Sequence, residues 1–451
     1  MRDELLAKIK GAGVVGAGGA GFPTHVKVAA TVDYVIVNGA ECEPLIMVDQ
    51  QLLHLMSETV LKGLEVVLQI TGAAKGILAL KGKYKEAISA LKKNIKNERL
   101  ELFILDDFYP AGDEQVLVYE VTKRVVPEGG IPLKAGCVVI NVETLINIAA
   151  SIEGIPVTDT YLTITGDVPD PLTVKVPVGT PVSEVVALAG KDNLKGMYVI
   201  DGGPMMGKIV INPGQPVTKT TKALIVLPEN HPLIQKKVKP IEMILKQARV
   251  ACIQCRRCTD LCPRYLLGHS IEPHKIMRTV SYAFNEVEFI KTVFFCSECG
   301  ACEQYACPMF LSPRRINAKL KQELSIKGIK ANPSSALPEP VYIREYRKIP
   351  SKRLKVQLGI EAYDHPAPLK DIRFEPQRVK IPLLQHIGKK AVPTVKIGQS
   401  VNKGDLIASI PENSLGANIH ASISGTVVEI ADCIVIETSK RAKRGSAGAG
   451  E

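Results

Sequence analysis

Eight of the eleven cysteines of this 451-residue chain stand between Cys252 and Cys307, and no other feature restricts its fold as tightly. They form two groups, Cys252-x2-Cys255-x2-Cys258-x3-Cys262-Pro263 and Cys296-x2-Cys299-x2-Cys302-x4-Cys307-Pro308. In a cytosolic chain such crowding argues for metal and against disulfides. Three thiolates at C-x2-C-x2-C spacing wrap a tight loop around one face of a cubane, and a more distant Cys-Pro supplies the fourth corner. Structural zinc asks for its ligands in pairs and gives no reason for a third close cysteine or for the Cys-Pro endings. The spacing therefore predicts two [4Fe–4S] clusters.

In a two-cluster arrangement the last cysteine of each group ligates the other cluster. That assigns Cys252, Cys255, Cys258 and Cys307 to the first cluster, and Cys296, Cys299, Cys302 and Cys262 to the second. The x4 interval before Cys307 departs by one residue from the common x3, which leaves the cross-ligation open. Two clusters in one domain make an electron wire and not a catalyst. A flavin is the usual converter from two-electron hydride chemistry to single electrons.

The rest of the composition is permissive. Hydrophobic residues at 46% and charged residues at 23% are ordinary for a globular chain. No apolar run approaches the roughly 20 residues of a membrane span. The first ten residues, "MRDELLAKIK", lack the apolar core of a signal peptide, so a cytoplasmic location is expected. The net charge of +11 comes without Trp and without an aromatic-interleaved basic stripe, so a solvated basic surface is expected and nucleic acid is not.

Before the cysteines, strand and helix signals alternate through "DYVIVNGAECEP", "GILALKG", "KEAISALKKNI" and "CVVINVETLINIAASI". They predict an α/β domain over residues 1–155. Strand-rich sequence follows at 156–212, read as a β-grasp module, then a connector at 213–240 that is partly strand. Helical patterns carry the cysteines at 241–330, and a surface linker is expected at 331–372. Residues 373–438 are all strand and turn, in two similar halves that suggest a small sandwich or barrel. The Gly/Ala/Ser-rich tail, 439–451, is expected to be disordered.

Near the N-terminus, Gly16, Gly18 and Gly21 in "GVVGAGGAGFPTHVK" satisfy G-x-G-x-x-G. A Rossmann fingerprint must follow a strand and open a helix. Here a helix, with Leu5, Leu6 and Ile9 at helical spacing, precedes the loop. The dinucleotide context fails.

The wider set is more informative. "GAGGAGFPTHVK", "VNGAECEP", "YPAGDE" and "INVETL" occur in this order, and together they resemble the flavin-binding domain of the complex I flavoprotein subunit and of the Rnf complex C subunit. The resemblance implies an α/β flavin-binding domain followed by a β-grasp (SLBB) module, an α-helical ferredoxin domain with two [4Fe–4S] clusters, and an all-β barrel-sandwich module. It implies FMN against Gly16, Gly18, Gly19 and Gly21, with Lys27 at its phosphate and Asn38, Glu41, Asn141 and Thr144 around the flavin. Phe22, Tyr109 and Glu114 lie where that family receives NADH. The chain departs from the complex I pattern at Ala17, where that pattern has Arg, at Ala40, where it has Asp, and at Asp113, where it has Glu.

Module order separates the relatives. In the Rnf subunit the sandwich precedes the glycine loop, whereas here it follows the cysteines. That order resembles the cobalamin reductases of propanediol-utilisation microcompartments. The resemblance implies an NADH-dependent reductase acting on a corrinoid, with a cobalamin adenosyltransferase and microcompartment shell proteins as partners, inside a bacterial microcompartment. The alternative is an electron-relay subunit of an Rnf-like complex without its own final substrate. The sandwich offers no lysine in "GANIHAS" at the place of a carrier hairpin, so no swinging arm is expected.

Overall fold

The structure, a computed structural model, describes residues 1–282 and 287–438; the tail expectation for 439–451 falls outside them. The first domain holds four parallel strands in the spatial order Leu100–Leu105, Lys75–Lys81, Tyr34–Gly39, Cys137–Asn141. Their short apolar runs are covered on both faces, as a parallel sheet requires. Helices Arg2–Gly11, Ser57–Thr71 and Val142–Ile152 bury one face through Ile9, Leu64, Leu68 and Leu145. Helix Glu114–Thr122 covers the other through Val116, Leu117 and Val118, with Cys137 inside the same core.

The second sheet has the order Leu172–Pro177, Asp159–Gly166, Ala223–Pro228, Met197–Asp201, Lys208–Ile209, with helix Val182–Ala187 packed on it. Strand Ala223–Pro228 runs parallel to Asp159–Gly166 at the centre of the sheet. This corrects the boundary expected at 212: the "ALIVL" assigned to a connector completes the module. A strand buried on both faces shows no alternation to mark it.

The cysteines lie among helices Ile241–Ala251, Pro273–Tyr282 and Pro313–Ile326. The expected surface linker is also corrected. Ile349–Pro350 pairs antiparallel with Phe108–Tyr109 of the first domain, and helix Ser351–Leu358 follows. Leu354, Leu358 and Ile360 are buried in a core shared with Tyr109, Ile200 and Cys299. Two small sheets then enclose Val379, Ile381, Ile407, Ile419, Val427 and Ile434 as the predicted sandwich.

Candidate redox centres

The two cysteine loops repeat one backbone path. Gln254 (φ 52°) and Glu298 (φ 56°) occupy the position after next from the first cysteine, and Arg256 (φ 65°) and Gly300 (φ 80°) follow the second. Left-handed backbone costs a non-glycine residue about 1–2 kcal/mol, so three such residues in two short loops mark conformations imposed by function. The bend turns donors toward sulfur. Glu298 N reaches Cys296 Sγ at 3.4 Å, Leu311 N reaches Cys307 Sγ at 3.4 Å, and Gln254 Nε2 reaches Cys252 Sγ at 3.1 Å.

The odd x4 interval has a local explanation. After the first loop, Arg257–Asp260 is an α-turn, whereas after the second, Ala301–Ala306 is a π-helix. A π-turn carries one more residue per turn than an α-turn, so the extra residue is absorbed and Cys307 keeps its place. Cys252, Cys255, Cys258 and Cys307 surround one cavity, together with Ile253, Met277 and Met309. Burial pushes the Cys258 thiol up to about 12, with the fields of Cys307, Cys252 and Cys255 adding to it. Cys262 rises to about 12 by burial, and Cys296 adds to the rise. Cys299 is raised by burial and then by Cys262 and Cys296. Cys302 feels both groups.

Among the described residues no three His, Cys, Asp or Glu side chains close on a single ion. The first quartet stands around a space, as a cluster with its own sulfides requires. Buried thiols whose ionisation is so unfavourable need cationic iron to hold them as thiolates. The donor set fits.

The glycine loop is pinched at its neck by a bridge between Val15 and Pro23, with Gly16 N donating to Phe22 O at 3.0 Å. It follows helix Arg2–Gly11, as expected. Its tip, Gly18 to Ala20, is exposed. A Cβ on Gly18 would lie 2.8 Å from Asn141 Nδ2, while one on Gly19 would meet open space. No protein atom explains glycine at 19; a ligand in close contact would. Gly21 has a different cause. At φ 70° its added Cβ would strike the Gln385 carbonyl at 2.8 Å, so the sandwich module demands that glycine.

Around the loop the predicted residues converge. Ala17 N donates to Thr144 Oγ1 at 3.0 Å, and Asn141 caps helix Val142–Ile152 by accepting from Glu143 N and Thr144 N. Asn141 Nδ2 donates to Asp49 at 2.8 Å. Glu41 accepts from Asp49 N at 2.8 Å and from Gln50 Nε2 at 3.1 Å, which turns its carboxylate into the protein. Asn38 Nδ2 donates to Gly112 O at 2.8 Å. Lys27 Nζ pairs with Glu114 at 2.6 Å, so the expected phosphate and nicotinamide sides adjoin. Phe22 is half-buried beside them in the chain.

Sequence reasoning missed Asp49, Glu143 and Lys222. Lys222 Nζ pairs with Glu143 and lies 3.8 Å from Asp49. Burial raises Asp49 to about 7, against the pull of Lys222 and with the push of Glu41 and Glu143. Nothing in "VTKTTK" announced this, because a lysine in a polar run normally faces solvent.

Tyr109, expected beside NADH, is fully buried, and its hydroxyl donates to the Cys299 carbonyl at 2.5 Å. Asp113 caps helix Glu114–Thr122 and pairs with Arg264, two residues after Cys262, at 2.5 Å. Both contacts tie the glycine-loop domain to the quartet of Cys262, Cys296, Cys299 and Cys302.

Residues 9–150 match the Nuo51 FMN-binding domain, residues 251–312 the 4Fe-4S dicluster domain, and residues 363–444 the RnfC barrel sandwich hybrid domain. These define a flavin and iron–sulfur electron-transfer protein. The chain is 43% identical over 436 residues to the cobalamin reductase PduS of Salmonella typhimurium, and 44% identical over 432 residues to that of Citrobacter freundii, covering 95% of both chains in each case. It is 38% identical over 275 residues to the RnfC-type component of the Na(+)-translocating ferredoxin:NAD(+) oxidoreductase complex of Acetobacterium woodii, with 58% of each chain covered. The chain belongs to the PduS cobalamin reductase family. Among the described residues no helix is long and apolar enough to cross a membrane.

Proposed function

We propose that this chain is an NADH-dependent cobalamin reductase with FMN and two [4Fe–4S] clusters as its resident redox groups. Bound there, FMN supplies exchange between electron pairs and single electrons, and the clusters supply single-electron conduction. Gly16, Gly18 and Gly19 admit close backbone approach, Lys27 neutralises phosphate, and Asn38, Asn141 and Thr144 orient the ring, with Glu41 holding Asp49 behind Asn141. Phe22 and Glu114 face the nicotinamide. Cys252, Cys255, Cys258 and Cys307 hold one cluster; Cys262, Cys296, Cys299 and Cys302 hold the other. A cobalamin adenosyltransferase takes the product inside a microcompartment.

The observation that carries this reading is the Tyr109–Cys299 hydrogen bond, because it joins the flavin side to a cysteine loop. Anaerobic analysis should return about eight irons, a matching amount of sulfide and one FMN per chain. NADH and hydroxocobalamin added together should then move the cobalt spectrum. Bleaching of flavin and clusters with cobalt untouched would reject the corrinoid and leave an electron relay.

A further inference from the structure

The two quartets differ in what covers them. Cys262, Cys299 and Cys302 are buried, and their loops are held by Tyr109 and Asp113 of the glycine-loop domain. Of the eight cysteines only Cys255 is exposed. Ile253 and Met309 line the cavity beside it, 61% and 40% exposed. Val250 and Phe310 flank them along the chain at 87% and 68%. Four large apolar side chains exposed around one cysteine loop make a patch of the kind that marks a binding surface.

We propose that this collar of Val250, Ile253, Met309 and Phe310 is where the corrinoid docks, a proposal that rests on the cobalamin reductase reading. Electrons then enter at Cys262, Cys296, Cys299 and Cys302 and leave past Cys255, against the order of the two groups in the chain. The chemistry of the surface matches the occupant. A corrin is a broad macrocycle edged with methyl groups, and cobalamin carries one phosphodiester anion. Arg249 and Arg257 stand exposed at the rim, and among the described residues neither forms an ion pair, whereas Arg256 is engaged by Asp260 and Tyr265. The apolar collar suits the ring and the free guanidiniums suit the phosphodiester.

The reaction served is balanced without any bond to carbon at cobalt. One NADH and one proton convert two hydroxocobalamins to two Co(II) cobalamins, NAD+ and two waters, each cobalt gaining one electron and each hydroxide leaving as water.

The test uses holoprotein carrying Ile253→Glu or Phe310→Glu, with Ile253→Leu as the conservative control. Equilibrium dialysis with hydroxocobalamin should show Kd raised about tenfold or more in the two Glu variants, KM rising in parallel, and iron content retained. Ile253→Leu should bind as wild type does. Unchanged Kd and KM in iron-replete Glu variants, with wild type reducing cobalt, would overturn the docking face alone. A wild type that reduces no cobalt overturns the functional reading, and this occupant with it.

Discussion

Lys219 reaches into a junction of three modules with no carboxylate beside it. Its Nζ donates to the carbonyls of Gly13 at 2.7 Å and Asn418 at 3.0 Å, and burial lowers its pKa from 10.5 to about 7. Below pH 7 the lysine is charged in folded and unfolded chains alike. Between 7 and 10.5 only the unfolded chain keeps the proton, so this group makes folding more favourable as pH rises, by at most about 1.4 kcal/mol per pH unit. His386 and His420 are held below their ordinary range by burial, so they stay neutral across that window. Lys219→Met should therefore show a smaller rise in Tm than wild type between pH 7 and 9. Equal slopes in the two calorimetric series would refute the assignment. The sequence hid this lysine as it hid Lys222, since burial of a charged stem depends on what distant segments bring to it. The glycines were easier to read, although Gly21 answers to Gln385 and not to a ligand.

At the scale of the element, spacing alone predicted the two cysteine loops, and the paired left-handed residues explain how thiolates so close in sequence can line one space. The x4 interval could not be resolved from spacing, because a π-turn leaves no periodic trace in six residues. The loops differ at one informative place: Arg256 stands where the second loop has Gly300. Glycine adopts that backbone without steric cost, and a β-branched residue adopts it worst. Arg256→Gly should therefore keep the full iron content of the holoprotein, and Arg256→Val should lower it. Iron analysis of the two variants decides; equal loss in both would mean that the guanidinium, and not the backbone, holds the loop.

Across the whole molecule, the order of modules was legible from motifs, and two boundaries were not. Strand Ala223–Pro228 and the returning segment at 344–360 are each defined by partners far away in the chain. Periodicity within a few residues cannot report such partners. The returning segment is anchored by Arg344, which pairs with Glu120 at 2.5 Å with both side chains under a tenth exposed. Lys348 also reaches Glu120, at 3.3 Å. Arg344→Ala should cost about 3 kcal/mol in denaturant unfolding, the lower end for breaking a buried pair, because Lys348 still compensates the carboxylate. A loss below about 1 kcal/mol would place the pair in the class of surface bridges.

The pairing of Phe108–Tyr109 with Ile349–Pro350 also sets an order of synthesis. A chain emerges from the ribosome N-terminus first, and the partner of this edge arrives about 240 residues later. Both cysteine loops are therefore out of the ribosome, and open to whatever delivers iron, before the glycine-loop domain can be sealed against them. The last part of the enzyme to be finished is the first part to be translated.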